Sequence, residues 1–357
     1  MEERDGQQTL LMRFATENGL DFEILSGTKP VVHSGGRLMG FDPYRLEAGQ
    51  ASHLPGPSGN RRAINARVTA VQIGSCKRFA NSMMQLCHAL LAAQSLGAQR
   101  LYIPSFWYLK PGRHSTPMGI EIINHHGTPD LTGEDLVLSG SFLRRAALKR
   151  LHPRRPRNRQ LVRQVRHILK LDINAPAHGK TDLLIYIRSG DVFSNPTPHP
   201  SYGQPPLAFY QRVVQLRHWH TIRVVHEDRG NPVIEALLAW LPNHCRRVIP
   251  VSGDLEDDLN VLLRTRHLVS GRGTFCGSVS CLSRRLRRVY SFDRPFNAWG
   301  NRKVKDVTLV DSRGDYRSTI LQGNWANTRE QRRLMMDYPI DAIAVGSTGQ
   351  QPQPIRS

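Results

Sequence analysis

The sequence predicts an α/β protein of two Rossmann-like halves facing a cleft, the C-terminal half a doubly wound parallel sheet. Three observations carry this reading. The chain has 357 residues, 39% of them hydrophobic, which is more than a single core usually holds. Its second half alternates short apolar strands with amphipathic helices, and a strand, helix and strand precede them in about 40 residues, the pattern of a parallel crossover.

The elements follow in order. To about residue 65 the chain is polar and punctuated by Gly and Pro ("SGGRLMGFDP", "LPGPSGNRR") and reads as loops around a few short elements. "NARVTAVQIGS", 65 to 75, alternates and is rich in Val and Ile. In the next stretch Phe79, Met83, Leu86, Leu90 and Leu91 recur at helical spacing up to a stop at Gly97, and "AQRLYIP" returns as a strand. A poorly patterned region runs to about 142, and the loops of 30 to 65 and 104 to 140 are where variable ligand contacts are expected. From Arg144 to Lys170 eleven Lys or Arg stand with no acid; Leu161, Val165, Ile168 and Leu169 give the second half of that segment an apolar helical face.

Beyond a boundary expected in 172 to 180, strands "LLIYI", "TIRVVHE", "RRVIPV", "HLVS" and "RVYSF" alternate with helices around "LAFYQRVVQLR", "NPVIEALLAWL", "DLEDDLNVLLRTR" and "CGSVSCLSRRL". The expected division is an N-terminal α/β domain, 1–175, a C-terminal Rossmann-like domain, 176–300, and a C-terminal extension, 301–357. In that extension "NWANTREQRRLMMDYP" reads as a helix packing on the body through Trp325, Leu334 and Met335, and a disordered tail follows.

Composition bounds the function. Five scattered cysteines (Cys76, Cys87, Cys245, Cys276, Cys281) make no disulfide scaffold and no CxxC zinc pair. No signal-peptide core or apolar run of about 18 residues occurs, so the expected location is cytoplasmic or peripheral to a membrane, or a Golgi or ER lumen if an anchor lies outside this sequence. The formal net charge is +20, which raises a polyanion-binding protein as the rival to an enzyme. An acidic glycan or anionic membrane surface could meet the 144 to 170 segment; nucleic acid is disfavoured, because no aromatic interleaving or nucleic-acid signature accompanies the charge.

Three strand-to-helix turns are the candidate sites, since ligands of open parallel sheets bind beyond the carboxyl ends of the strands. "YIRSGD" places Arg188, Gly190 and Asp191 after a buried strand: a guanidinium that can fork onto phosphate oxygens, a turn residue, and a carboxylate to fix it. The alternative is a structural Arg/Asp pair. "HLVSGRGTFCGSVS" offers Arg272, Gly273 and Thr274 before a small-residue helix start, and "GSCKRFANSMMQL" offers Arg78 and Asn81. Taken alone, the first reads better as a conformational glycine turn and the second as a helix cap beside a solvated arginine.

Taken together these residues resemble the fucosyltransferases that use GDP-fucose and adopt the two-domain GT-B fold, the group of α1,2-, α1,6- and protein O-fucosyltransferases. "YIRSGD" is similar to their His-x-Arg-x-Gly-Asp element, "KRFANSMMQL" to their Gly-Arg-Phe-Gly-Asn-Gln turn, and "DLNVLLRTRHLVSGRGTFCGSVSCLS" to their C-terminal Asp-Leu-x-x-Leu...Ser-Thr-Phe segment. Tyr186 stands where the family has His, Ala80 where it has Gly, Ser82 where it has Gln, and Arg272-Gly273 where a serine precedes Thr-Phe. The resemblance implies a glycosyltransferase that moves fucose from GDP-fucose to a glycan or protein hydroxyl with inversion, with no cofactor and no metal. Arg188 and Asp191 would then be catalytic, Arg188 binding the donor's β-phosphate. Arg78, Asn81, Gly190, Arg272, Gly273, Thr274 and Phe275 would bind the donor, Glu227 and Asp228 would match an acidic pair, and Asp258 would lie near the nucleoside. A nucleotide-sugar-binding homologue without activity is the other form of this resemblance. No residue ranks as general base among Asp42, Glu47 and Glu121. The acids of "DLEDD", 254 to 258, are better explained as helix-capping groups than as metal ligands.

Overall fold

A computed structural model describes residues 9–15, 21–26, 68–75, 77–127, 129–131, 136–143 and 157–346. The chain forms two compact units, 1–170 and 171–357.

The first unit is built on seven strands: β1 (Thr9–Ala15), β2 (Asp21–Ser26), β3 (Val68–Ile73), β4 (Arg100–Pro104), β5 (Gly112–Ser115), β6 (Glu121–His125) and β7 (Leu136–Gly140). They lie in the order β1-β2-β7-β3-β4-β6-β5. β6, β4, β3 and β7 are mutually parallel, and β1, β2 and β5 join antiparallel at the margins. Val68, Ala70, Val71 and Ile73 of β3 are all buried, as a central strand covered on both faces requires. The predicted crossover is present: α1 (Phe79–Leu96) runs from β3 to β4, buries Met83, Leu86, Leu90 and Leu91, and ends at Gly97 in the left-handed region, where glycine carries no Cβ penalty. The region expected to be loops between 104 and 140 instead holds β5, β6 and β7. Each is only four or five residues long, too short for a period to stand out in sequence. α2 (Asn158–Val165) and a following turn bury Leu161, Val162, Val165, Ile168 and Leu169. Residues 144 to 156, which hold the first part of the basic segment, lie outside the described residues, as do Asp42 and Glu47.

The second unit carries the other seven strands: β8 (Asp182–Ile187), β9 (Thr221–His226), β10 (Arg247–Val251), β11 (His267–Val269), β12 (Arg288–Phe292), β13 (Lys305–Asp311) and β14 (Ile343–Val345), in the order β10-β9-β8-β11-β12-β13-β14. All neighbours are parallel except β13 and β14. Helices α3 (Asp191–Ser194), α4 (Leu207–Gln215), α5 (Val233–Trp240), α6 (Leu255–Leu263), α7 (Phe275–Leu282) and α8 (Arg329–Asp337) complete it. Counted from β8 as strand one, the six parallel strands stand 3-2-1-4-5-6, the order of dinucleotide-binding sheets. The core strands 3-2-1-4 recur in the first unit as β6, β4, β3 and β7.

The sheet of the second unit continues past residue 300 through β13 and β14. The last helix packs on the body as expected: α8 lies beside α4 and α5, Met335 is fully buried, the Trp325 indole donates to the Val192 carbonyl at 3.2 Å, and the Asn327 amide donates to that of Phe193 at 2.9 Å. The tail beyond residue 346 lies outside the described residues. No described helix is long and apolar enough to cross a membrane.

Candidate functional site

The order 3-2-1-4 makes successive crossovers leave strand one in opposite directions, so the loops after strands one and four part and open a crevice at the carboxyl end of the sheet. In the second unit these are the loops after β8 and β11. They carry Arg188 to Asp191 and Gly271 to Thr274, two of the three turns singled out in the sequence.

Arg188 is held on several sides. Its Nη2 donates to Asp191 Oδ1 at 3.2 Å, and its guanidinium lies over the Tyr202 ring with Cζ 4.3 Å from the centroid. Gly273, at φ +129°, packs so close that a Cβ there would meet Arg188 Nη1 at 2.7 Å. A cation clamped between an aromatic face, a carboxylate and a backbone keeps one rotamer, which lowers the entropy lost when it grips an anion. Tyr202 carried no motif. Its partner is 14 residues away, and only the folded "PSYGQPP" loop brings it over Arg188.

The backbone of that turn is fixed by residues of the loop that follows β9. Gly190 has φ +54° and ψ −129°, a region closed to side chains, and a Cβ there would collide with the Glu227 carboxylate. Asp228 accepts from the Ser189 hydroxyl, from Gly190 N at 3.1 Å and from Gly230 N at 2.8 Å. Its burial raises the carboxyl pKa, but those donated bonds outweigh it and hold the group below the usual carboxylate range. Fully buried Asn231 donates from Nδ2 to the Arg188 carbonyl at 3.0 Å, and its own N–H reaches Ser189 Oγ at 2.9 Å. The geometry thus gives Asp228, expected as a donor contact, the work of bracing the Arg188 turn.

Across the crevice Arg272 N donates to Gln204 Oε1 at 3.2 Å, while its guanidinium lies among Asp293, Arg294 and Tyr316. Burial, then the like charge of Arg294, pulls its pKa down to about 10. Nε and Nη1 are buried and have no hydrogen-bond partner among the described residues. A desolvated guanidinium with two idle donors is costly unless an anion completes it. Thr274 and Phe275 open α7, whose first-turn N–H groups have no helical acceptors; Phe275 packs on Tyr186 with ring centroids 4.8 Å apart. Gly277 gives passage to Trp299, since a Cβ there would sit 2.6 Å from the indole nitrogen.

Asp258 stands on the first turn of α6, 7% exposed. Burial, opposed by the Gly253 N–H and reinforced by Asp254, Asp257 and Glu227, raises its pKa to about 6. Asp254 caps α6 by accepting from Asp257 N at 2.9 Å, as the capping reading of "DLEDD" expects. Among the described residues no three His, Cys, Asp or Glu are grouped to hold a metal ion.

In the first unit Arg78 and Asn81 stand at the equivalent turn between β3 and α1. Arg78 occupies the N-cap with ψ 151°, and the loop is closed by Ser82, whose hydroxyl accepts from Lys77 N at 3.0 Å and donates to the Lys77 carbonyl at 2.6 Å. Gln85 ties Ser75 by its Nε2 at 3.1 Å and accepts from Phe142 N at 3.3 Å. Glu121 lies 3.7 Å from Arg100 and 3.8 Å from Arg113.

No family model and no curated protein matches the chain. Among solved structures it is similar to a variant of Arabidopsis thaliana FUT1 in complex with GDP, at 11% identity, over 68% of this chain and 71% of that one, with a TM-score of 0.36. It is also similar to the E. coli ADP-heptose LPS heptosyltransferase II, at 10% identity, over 67% of this chain and 90% of that one, with a TM-score of 0.30. Likeness of this degree carries no argument, and the function is read from the chain's own residues.

Proposed function

We propose that the chain is a glycosyltransferase of the GT-B kind, whose second unit binds the diphosphate of a nucleotide-sugar donor at the β8/β11 crevice. The carrying observation is the pair of guanidiniums on the two loops of the switch point, Arg188 pre-set by Asp191 and Tyr202, and Arg272 with two buried donors unused. With the α7 N-terminus they supply what a pyrophosphate needs. The motif resemblance directs the reading further, to fucose transferred from GDP-fucose to an acceptor hydroxyl with inversion and without a metal.

The chemistry follows from where charge develops. As the bond from the sugar C1 to the diphosphate oxygen breaks and the acceptor hydroxyl, giving its proton to a general base, bonds through oxygen to C1 from the opposite face, negative charge grows on the leaving diphosphate. A fixed Arg188 stabilises that charge with little reorganisation. Asp191 orients the arginine while leaving Nη1 for the ligand. Asp258 would accept from the base through a carboxylate, so guanine-nucleotide affinity should fall as pH drops through 6.

The test is calorimetric titration with GDP, GDP-fucose, GDP-mannose and UDP in the presence of EDTA, for the parent and Arg188→Ala. Guanine-nucleotide binding that the substitution abolishes, with transfer slowed by about 10²–10³-fold, is the expected result. Failure of the parent to bind any nucleotide would sink the transferase reading.

A further inference from the structure

The opposite end of the second sheet carries charge that the candidate site does not use. Each parallel strand is entered through basic residues: Arg246 and Arg247 at β10, Arg217 before β9, Lys180 before β8, Arg264 and Arg266 before β11, Arg284, Arg285, Arg287 and Arg288 at β12, and Arg302, Lys303 and Lys305 at β13. Parallel pairing puts all six entries on one edge, and the sheet order makes that edge continuous from β10 to β13. With strands about 4.8 Å apart, the row spans roughly 24 Å. None of these cations is in an ion pair among the described residues. Arg264, Arg284 and Arg285 brace the 174 to 176 loop through oxygens that carry no charge: the Pro176 carbonyl at 3.1 Å, Asn174 Oδ1 at 2.6 Å and the Ala175 carbonyl at 3.1 Å. Their charge stays uncompensated.

The acids at this end are already engaged. Asp182 pairs with Arg223 at 2.8 Å, Asp172 accepts from Asn174 N at 3.1 Å, and Asp306 accepts from Ser291, Thr308 and Phe296. Two histidines sense the field. His267 is held down to about 4 by burial, then Arg217 and Arg288, with Arg266 adding and the Lys180 backbone opposing. His178 is lowered by burial, then by Arg223 and Arg264, against the Val261 carbonyl and Asp182.

We propose that this edge is a docking surface for a linear acidic polysaccharide bearing sulfate or carboxylate groups, separate from the switch-point site and independent of the function read there. A one-dimensional row rich in arginine forks fits successive oxyanions along a chain. A bilayer calls for apolar anchors beside the charge, and among the described residues of the second unit the exposed large apolar ones are Leu255, which follows β10 at the opposite end of the sheet, and Val345, which pairs with Leu309 within the sheet. Single-stranded nucleic acid calls for free aromatic platforms, whereas here Trp219 is fully buried and Trp240 is stacked on His244 at 3.4 Å.

The experiment uses the full chain and a variant with Arg246→Gln, Arg247→Gln, Arg302→Gln and Lys303→Gln, whose native side chains make no hydrogen bond among the described residues. A second variant neutralises Arg144, Arg145, Arg154 and Arg155. Binding of a heparin decasaccharide, an oligothymidylate and phosphatidylserine vesicles is measured at low and physiological salt, with thermal melts to confirm folding. The expected result is salt-sensitive heparin binding, weakened about tenfold or more in the first variant, less in the second, and tighter than binding to the other two probes. Heparin binding unchanged in the first variant, a larger loss in the second, or tighter binding of oligothymidylate or vesicles would overturn the proposal.

Discussion

The two units present the same device twice, with different bracing. In each, an arginine follows strand one of a 3-2-1-4 core and precedes a helix: Arg78 after β3, Arg188 after β8. The first turn is closed mainly from its own helix, by Ser82 and Gln85. The second is closed by residues about 40 positions later, Asp228 and Asn231, which grip Ser189, Gly190 and the Arg188 carbonyl. Local closure shapes a backbone, while closure from the loop after a neighbouring strand also fixes where a charged side chain stands relative to the sheet.

The sharpest way to break that comparison is Gly190→Ala. The left-handed φ and the Glu227 carboxylate both oppose a methyl group, so a loss of about 2–4 kcal/mol in denaturant unfolding is expected. The same change at Gly74, where a Cβ would meet the Gly140 carbonyl at an ordinary 3.6 Å, should cost less than about 1 kcal/mol. Equal losses at the two positions would erase the distinction.

Asn231→Ala removes a buried side chain that serves both the Arg188 carbonyl and Val233 N. Urea melts should show a loss of about 2–3 kcal/mol, and calorimetry a weaker nucleotide affinity through a loosened Arg188. Unchanged affinity at lower stability would make the brace purely structural.

Asp258→Asn sharpens the electrostatic side, since an acid held at about 6 sits beside the second turn. The folded value lies above the unfolded one, so the native chain binds this proton more tightly. Its contribution favours folding below about pH 4 and is lost as pH rises through 6. The amide variant should therefore gain about 1–2 kcal/mol over the parent above pH 7 and nothing below pH 4, read from thermal melts across pH. A gain independent of pH would contradict the assignment.

The smallest effect is expected at Ser82→Ala, about 1 kcal/mol by chemical denaturation, with the second unit's nucleotide binding untouched.

Much of this was legible in the sequence for identifiable reasons. β8 to β12 and α1 are long or apolar enough for their period to show, and Arg188 stood out because a charge directly follows a buried strand. β5, β6, β7 and β14 hid because three to five residues give no period unless patterned helices flank them, as α6 and α7 flank β11, and β13 hid because its burial is partial and its ends are charged. Tyr202 and Asn231 hid for another reason: neither residue type at its position signals anything until the loop after β8 meets the loops after β9 and β11.

By itself, then, the chain determined the alternation of strands and helices, the positions of its strand-to-helix turns and the guanidiniums within them, because these depend on side-chain period and on neighbours a few residues away. The tertiary structure alone decided the 3-2-1-4-5-6 order. That order sets the Arg188 and Arg272 loops on either side of one crevice, closes Gly190 against Glu227, leaves Arg272 buried with idle donors, and aligns the basic strand entries into one edge. Each of those joins residues distant in sequence, 37 positions apart for Gly190 and Glu227 and 84 for Arg188 and Arg272, and pairing across a sheet is a non-local free energy that no local pattern of residues encodes.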